Sequence, residues 1–376
     1  MPNQRPINTG DKKVNVRRLD IATHWQLMWW RFRKHRMAMS GIAVLGLFLI
    51  ISLFAEFMAP YGSHTRNTGY LQGPPMGIHF FDNNGDFHLR PFIYGRVNKR
   101  DPVTYRLSAV VDTSILMPLR FFTRGETYKF WGLFKFDLHL YGTDKGFVNV
   151  FGTDQLGRDV FSRLMYATRV SLSVGAIGVF LAFTMGIFMG GIAGYLGGIT
   201  DELIMRMMEF IRSIPTLPLW LALAAALPRD WSALKVYLAV TAILASIGWT
   251  HLGRRVRSKL LSLREEEFIL SARLAGCSDA RIITRHMLPS FMSYLIVDLT
   301  VSFPYIILAE TSLSFLGLGL REPIVSWGVL LYSAQNIRTL AEIPWLLISG
   351  LFVIIAVLAF NFMGDGLRDA ADPFAK

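Results

Sequence analysis

The segment that decides the fold reads LSARLAG at positions 270–276 and HMLP at positions 286–289, and it lies between two apolar stretches of membrane length. Residues 264–275 favour a helix, and Gly276 can adopt the left-handed conformation that ends one. Ser278 and Asp279 are good N-caps for a second short helix, and Pro289 suits the first turn of the membrane helix that follows. The sequence therefore predicts a short helical hairpin joined rigidly to two membrane helices, an arrangement that can act as a lever.

The composition is that of a membrane protein. Of 376 residues, 52% are hydrophobic, and the mean hydropathy of +0.37 is too high for an ordinary soluble protein. A spanning helix needs about 20 predominantly apolar residues. We predict an all-α polytopic membrane protein with six transmembrane helices, at Ala38–Ala59, Val170–Ile192, Ile214–Leu227, Val236–Gly253, Phe291–Thr311 and Trp345–Met363.

Two further patterns concern the predicted membrane helices. Pro215 and Pro218 interrupt the third helix, so these prolines are expected to face protein or a cavity rather than lipid. Gly186, Gly190 and Gly194 repeat every four residues in the second helix, which indicates close packing against another helix.

Lysine and arginine are concentrated on one side of these helices. Nine precede the first helix and eight lie at positions 251–290, whereas the segments 228–235 and 312–344 hold two each. By the positive-inside rule, both termini and the hairpin are predicted to be cytoplasmic. We expect the net charge of +12 to be matched by anionic membrane lipids and not by nucleic acid, because no nucleic-acid-binding module accompanies it.

The segment 63–150 interrupts the membrane pattern. It is rich in Gly, Pro, Asn and Asp at first and in aromatic and β-branched residues later, and Asn84-Gly85 is a hairpin signal. We predict a small, partly β insert on the periplasmic side, which either contacts a separate protein or caps the outer mouth of a pore. Asp154 to Arg169 predicts an amphipathic helix along the outer interface.

These predictions divide the chain into four parts. Residues 1–37 form a cytoplasmic N-terminal segment, 38–59 the first membrane helix, and 60–168 the insert with its interfacial helix. Residues 169–376 form a core of five helices, with the cytoplasmic loop near 254–289.

The chain resembles permease subunits of binding-protein-dependent ABC importers. The hairpin is similar to their "EAA" cytoplasmic loop at Ala272, Gly276, Leu288 and Pro289, although Leu270 and Ser271 replace its opening Glu-Ala. Further blocks resemble the dipeptide/oligopeptide/nickel branch: GTD at 152–154, GRD at 157–159, SR at 162–163, LSFLGLG at 313–319, SWG at 326–328 and GDGLRD at 364–369. The chain is similar to the second-type, or C, membrane subunit of this branch, which implies the type I ABC importer permease fold.

The resemblance implies that the hairpin docks on a separate ATPase subunit. The residues implied for docking are Ser271, Ala272, Arg273, Leu274, Ala275, Gly276, Cys277, Ser278 and Asp279. In the family, the Glu that is missing here usually forms an ion pair with the ATPase, and Glu265 to Glu267 or Arg273 are candidates to replace it.

The resemblance also implies partners and a function. The implied partners are a second homologous permease, two ATPase subunits that bind ATP and Mg²⁺, and a periplasmic solute-binding protein, all at the bacterial inner membrane. The implied function is import of oligopeptides by alternating access, with oligosaccharides or nickel complexes as alternative substrates.

Four charged residues lie inside or beside predicted membrane helices. They are Asp298 and Glu310 in the fifth helix, and Arg206 and Glu209 before the third. Charged groups within a membrane are costly and usually face protein or water. They line a translocation path or switch between states, or they form ion pairs between helices, and the sequence leaves both interpretations open.

The sequence carries no catalytic motif. No phosphate-binding loop of the form GxxxxGK[ST] occurs, and no metal-ligand cluster or nucleophile motif is present. The chain is therefore not predicted to be an enzyme or to bind a cofactor or metal. The alternative function is a self-sufficient secondary transporter driven by an ion gradient through Asp298 or Glu310, against which stand the docking-type loop and the lack of a second, inverted half.

Overall fold

The structure is a computed structural model, and it describes residues 24–100, 107–144 and 146–371. The basic residues counted before position 24 in the predicted N-terminal segment lie outside these residues. The helices, in chain order, are α1 (His24–Lys34), α2 (Arg36–Leu53), α3 (Ala55–Met58), α4 (Val160–Leu196), α5 (Gly198–Ser213), α6 (Thr216–Ala225), α7 (Ala233–Leu263), α8 (Glu267–Leu274), α9 (Asp279–Arg281), α10 (Leu288–Ser290), α11 (Met292–Phe315), α12 (Trp327–Tyr332), α13 (Ile337–Glu342) and α14 (Ile348–Ala371). A π-helix, Ile282–Met287, joins α9 to α10, and a 3₁₀ turn, Pro344–Leu347, precedes α14.

Within the described residues, five helices are long and apolar enough to cross a membrane. They are α2, α4, α7, α11 and the unit formed by the 3₁₀ turn with α14. These helices confirm five of the six predicted membrane helices, because each contains most of the apolar stretch that predicted it.

An apolar helix is found at the third predicted position, Ile214–Leu227, but it is shorter than predicted. The apolar helix found there, α6, has 10 residues, about half of what a span requires. It follows the amphipathic helix α5 after a break at Ile214, whose extended backbone (ψ 132°) is typical of a residue before proline. Pro215 and Pro218 are exposed on this chain taken alone, so the expectation that they face protein or a cavity stays a prediction.

The separate interfacial helix predicted at Asp154–Arg169 is also wrong. Asp159 is the N-cap of α4, which runs without a break for 37 residues, about 55 Å at 1.5 Å per residue. A hydrocarbon core is about 30 Å thick, so the first turns of α4 extend beyond it. The apolar side chains of these first turns pack on two sides. Leu164 and Met165 belong to a cluster with α2, α12 and α14, and the ring of Phe161 lies 5.6 Å from that of Tyr141 in the insert.

The insert contains two antiparallel sheets, which confirms its predicted partly β character. One sheet has the order β1 (His79–Phe81), β2 (Phe87–Arg100) and β3 (Leu107–Pro118), and the other pairs β4 (Arg120–Phe130) with β5 (Phe134–Gly142). The hairpin predicted at Asn84-Gly85 joins β1 to β2, with φ of +88° at Gly85. In the second sheet Phe121 pairs with Tyr141, and Phe130 pairs with Phe134.

The predicted close packing of the second membrane helix is confirmed between α4 and α7. A Cβ added at Gly190 would lie 2.3 Å from the carbonyl oxygen of Gly253, and one at Gly194 would lie 2.6 Å from that of Arg257. The two backbones can therefore approach only because these positions lack side chains. The resulting core of α4, α6, α7 and α11 includes Trp220, Leu244 and Ile306, all almost fully buried.

Candidate functional site

The hairpin predicted from the sequence is formed by residues 267–290, hereafter the 267–290 hairpin. Gly276 ends α8 with φ of +77°, as predicted. The amide of Gly276 donates to the carbonyl of Arg273 at 3.0 Å and that of Cys277 donates to the carbonyl of Ala272 at 3.1 Å, the two bonds of a Schellman motif. This motif reverses the chain at a defined angle, because it satisfies carbonyls that the end of α8 would leave free.

The return arm differs in detail from the prediction. Ser278 precedes α9 as expected, but its side chain forms no capping hydrogen bond. Pro289 lies in α10 and not in the first turn of the membrane helix, since α11 begins at Met292 after a break at Phe291.

Apolar packing fixes the 267–290 hairpin to the membrane helices. Ile269 from α8, with Ile282 and Met287 from the return arm, is fully buried against Leu260 near the end of α7. Tyr195, near the end of α4, belongs to the same cluster. The hairpin is therefore a rigid extension of α4 and α7.

Polar contacts join the end of α4 to both arms of the hairpin. The hydroxyl of Tyr195 donates to Oδ1 of Asp279 at 2.5 Å, and the guanidinium of Arg273 lies 5.7 Å from the Tyr195 ring centroid. Tyr195 therefore joins α4 to both α8 and α9.

The predicted docking residues lie together on the free side of the hairpin. Ala272 and Cys277 are half-buried against the apolar cluster, and the other members of the set from Ser271 to Asp279 are exposed. Leu274 is 90% exposed, and Phe268 and Leu270 are also exposed nearby. Exposed apolar side chains grouped in this way are typical of interaction surfaces.

The four charged residues predicted as a path or switch do not form one site. Arg206 and Glu209 pair with each other on α5 at 3.1 Å and are exposed. Asp298 and Glu310 lie on α11, about 18 Å apart along the helix axis at 1.5 Å per residue. Each of them has its own partners.

Asp298 forms an ion pair with Arg255 of α7. Its carboxylate is almost fully buried, and Oδ2 has no hydrogen-bond partner among the described residues. This contact joins α11 to α7 on the side of the 267–290 hairpin.

Glu310 is fully buried at the centre of a serine cluster. Ser314 and Ser326 donate to its Oε1 at 2.8 and 2.7 Å, and the hydroxyl of Ser171 lies 3.4 Å from Oε2. The amide of Trp327 donates to Ser171 at 3.1 Å. The cluster therefore ties α4, α11 and the start of α12 together, and its hydroxyls offset the cost of burying the carboxyl group.

An ion cluster that the sequence did not predict lies at the insert end of the molecule. Arg158 and Arg163 both contact Asp154, at 2.7 and 2.5 Å, and both contact Glu322, at 2.8 and 2.7 Å. Burial raises the pKa of Glu322, but hydrogen bonds and charges from the two arginines outweigh it and lower that pKa to about 2. Asp154, Arg158 and Arg163 belong to the GTD, GRD and SR blocks, whereas Glu322 carries no signal beyond its place before a proline.

Asp159 lies beside this cluster and caps α4. Its Oδ2 accepts hydrogen bonds from the amide and the hydroxyl of Ser162, both at 2.7 Å, and its Oδ1 accepts one from Nδ2 of Asn149 at 2.9 Å. Burial nevertheless raises the pKa of Asp159 to about 6, against the opposing effect of these bonds.

Comparisons with known proteins agree with these features. The family model described as "Binding-protein-dependent transport system inner membrane component" matches residues 182–376, more than half of the chain. A second model, "N-terminal TM domain of oligopeptide transport permease C", matches residues 23–75.

Individual relatives are similar over long segments. The oligopeptide transport system permease protein OppC of Bacillus subtilis (strain 168) is 27% identical over 368 residues, 97% of this chain and 94% of that protein. The dipeptide transport system permease protein DppC of the same organism is 38% identical over 225 residues, 59% of this chain and 68% of that protein.

The inward-facing MetNI methionine ABC transporter is a solved structure that matches with 17% identity and a TM-score of 0.43, over 55% of this chain and 95% of that chain. The family match and the membrane helices confirm the predicted permease fold. The chain therefore belongs to the family of binding-protein-dependent transport system inner membrane components, and it is a multi-pass permease subunit of an ABC importer.

Proposed function

We propose that this permease imports oligopeptides or similar small solutes and that it receives the energy of ATP hydrolysis through the 267–290 hairpin. The observation that carries the proposal is the hairpin itself, whose free side exposes Phe268, Leu270 and Leu274 while its other side is packed on α4 and α7. A surface that is exposed, partly apolar and rigidly joined to membrane helices is suited to a partner that pushes on it.

The proposed substrate class follows from the relatives. The names of the Bacillus subtilis relatives assign them to oligopeptide and dipeptide transport. Oligosaccharides and nickel complexes are the alternatives that we keep for this chain, and the ligand of the solute-binding protein decides among them.

The proposed assembly contains this chain, a second homologous permease, two ATPase subunits and a periplasmic solute-binding protein. ATP and Mg²⁺ bind to the ATPase subunits, and this chain is not an enzyme. Both termini and the 267–290 hairpin face the cytoplasm, because basic residues are concentrated on that side.

The proposed mechanism is alternating access. When the ATPase subunits close on ATP, they displace the hairpin, and the contact between Tyr195 and Asp279 carries the displacement to α4. The Asp298–Arg255 pair and the Glu310 cluster join α11 to the moving helices, so that the helices rock as one body. Arg206 and Glu209 are exposed on α5, and we keep the prediction that they line the translocation path or switch between its states.

The test is to reconstitute the chain in liposomes, alone and with its proposed partners. We expect the chain alone neither to hydrolyse ATP nor to move substrate. Hydrolysis and uptake should appear with the ATPase subunits and the second permease, and loaded binding protein should raise both.

Uptake by the chain alone, driven by a proton or sodium gradient, would overturn this proposal. That result would favour the alternative of a secondary transporter, which the family membership does not support. The variant Leu274→Ser removes an exposed apolar side chain of the hairpin. If uptake with the partners is unchanged in this variant, the docking surface must lie elsewhere.

A further inference from the structure

The two-stranded sheet β4–β5 ends in an unusual turn. Trp131 and Gly132, between the strands, have φ of +51° and +74°, and the amide of Leu133 donates to the carbonyl of Phe130 at 3.0 Å. Turns of this shape favour Asn and Gly, and a bulky residue at positive φ is uncommon. The turn geometry therefore does not account for a tryptophan at this position, and another contact must favour it.

The turn is fixed at the end of the first membrane helix. The amide of Trp131 donates to Oε1 of Glu56 at 3.2 Å, and the indole N–H donates to the carbonyl of Leu53 at 3.1 Å. The guanidinium of Arg169 lies 4.4 Å from the Trp131 ring centroid and pairs with Glu56 at 2.5 Å. These contacts hold the turn at the height of Leu53.

That height corresponds to the edge of the bilayer. Helix α2 has 18 residues with a mean hydropathy of 2.0 and ends at Leu53. At 1.5 Å per residue it spans about 27 Å, close to the thickness of about 30 Å of a hydrocarbon core. Leu53, and with it the turn, therefore lies where hydrocarbon meets the headgroups on the side of the insert.

The turn exposes apolar side chains at this height. Leu133 is 75% exposed and Phe134 is 63% exposed, and the Trp131 ring is about half exposed. The patch continues onto α2, because the ring of Phe54 lies 6.1 Å from that of Phe130, and Phe54 itself is exposed. Phe54 follows Leu49, Ile50 and Leu53, which are exposed on a helix that crosses the membrane, so the patch is continuous with a lipid-facing surface.

The charges near the turn also fit a lipid surface. Lys129 and Lys135 are direct partners across the two strands, and like charges in that position repel each other. Both are exposed, and neither forms an ion pair within the part of the chain that the structure describes. Phosphate groups of lipids would supply the missing counter-charge at this height.

We propose that residues Trp131 to Phe134, the tip of β4–β5, insert into the bilayer at the boundary between headgroups and acyl chains, in the leaflet on the insert's side. Trp131 lies at the interface as aromatic residues of membrane proteins do, Leu133 and Phe134 enter the upper acyl region, and Lys129 and Lys135 contact lipid phosphates. The tip thereby anchors the insert to the bilayer beside α2.

The proposal can be tested with a fluorescent probe on the full chain, purified with the subunits that accompany it and reconstituted in liposomes. In a Cys277→Ser background, Leu133→Cys carries an environment-sensitive fluorophore. Leu89→Cys is the matched control, because Leu89 is a leucine of similar exposure, 86%, in the other sheet. Quenching is measured with phospholipids that carry a nitroxide near the top of an acyl chain, and separately with iodide in the water.

At position 133 we expect several-fold stronger quenching by the nitroxide lipid than by iodide, and the reverse order at position 89. Adding Lys129→Gln and Lys135→Gln should reduce the lipid quenching at position 133 in liposomes that contain anionic lipid. Iodide quenching at position 133 equal to that at position 89 would overturn the proposal. Protection of position 133 from both quenchers would also overturn it, because a protein partner would then cover the tip.

Discussion

Gly276 is the residue on which the shape of the 267–290 hairpin depends. Its φ is +77°, and a Cβ added there would meet no described heavy atom within 4 Å, so the backbone alone restricts substitution. Gly276→Val places a β-branched residue in a strongly disfavoured conformation, at a cost of about 1–3 kcal/mol. We expect the variant to insert in the membrane but to lose most transport and most stimulation of ATP hydrolysis.

The matched control is Gly276→Asn. Asparagine tolerates the left-handed conformation far better than valine and adds side-chain atoms at the same place. It should retain transport in the same liposome assay. Normal transport by a well-expressed Gly276→Val variant would show that the turn does not couple the hairpin to the membrane helices.

Asp159 makes the stability of the insert end depend on pH. Its pKa rises from 3.8 to about 6 because of burial, so the folded state binds the proton more tightly than the unfolded chain. The resulting stabilisation is complete below about pH 4 and is lost as the pH rises through about 6. A shift of about two pKa units corresponds to about 3 kcal/mol at most.

Asp159→Asn removes this dependence while keeping an N-cap oxygen for Ser162. Oδ1 of Asn149 has no hydrogen-bond partner among the described residues, so a rotated Asn149 amide can accept from the new side chain. The thermal unfolding midpoints of variant and parent are measured in detergent. As the pH rises from about 4 to about 7, the midpoint of the parent should fall relative to that of the variant. A difference between the two proteins that stays constant over this range would contradict the role of the buried carboxyl.

Single residues differ in how much of their role the sequence predicts. The left-handed turn at Gly276 was predictable because a local pattern determines it. The partnership of Glu310 with Ser171 was not, because the two residues are 139 positions apart and no local rule pairs them. Glu322 was missed for the same reason, since its partners Arg158 and Arg163 lie 164 and 159 positions away.

At the scale of elements, the contact between α4 and α7 gives a prediction with an internal control. A methyl group at Gly190 would lie 2.3 Å from the backbone of Gly253, whereas one at Gly191 would meet only Leu260, at 4.0 Å. Gly190→Ala must therefore separate the two helices, and overpacking of this kind costs about 1–3 kcal/mol.

Gly191→Ala should be neutral, or stabilising by up to about 1 kcal/mol through helix propensity. The measurement is the thermal unfolding midpoint of each variant in detergent, together with its yield in the membrane. Equal behaviour of the two alanine variants would mean that α4 and α7 are not in the close contact seen here.

Element boundaries were predictable where apolar length alone determines them. The long helices α2, α7, α11 and α14 follow from their composition. The third membrane helix is shorter than predicted because the chain breaks at Ile214. Pro215 lacks a backbone N–H and disfavours helical backbone at the residue before it. The fusion of the predicted interfacial helix into α4 was not predictable, because polar residues of the first turns bond to α2 and to Glu322 and therefore do not end the helix.

At the scale of the whole molecule, composition and charge predicted the class of protein, and motif blocks predicted its family. Sequence could not show that the insert is fixed to two membrane helices through Glu56, Arg169 and Trp131, because these residues come from three separate parts of the chain. Contacts of this range depend on the packed structure.

Cys277 tests the orientation and the docking of the whole molecule together, because it is the only cysteine and lies next to the Gly276 turn. Its side chain is half-buried, so a small reagent can reach it. A membrane-impermeant maleimide should miss it in intact cells and label it in inverted vesicles stripped of the ATPase subunits. Restoring those subunits should slow labelling, because docking covers or rigidifies the hairpin. Labelling of intact cells from outside would show that the orientation is opposite to the one proposed. Labelling from inside at the same rate with and without the ATPase subunits would show that Cys277 is not part of the docking surface.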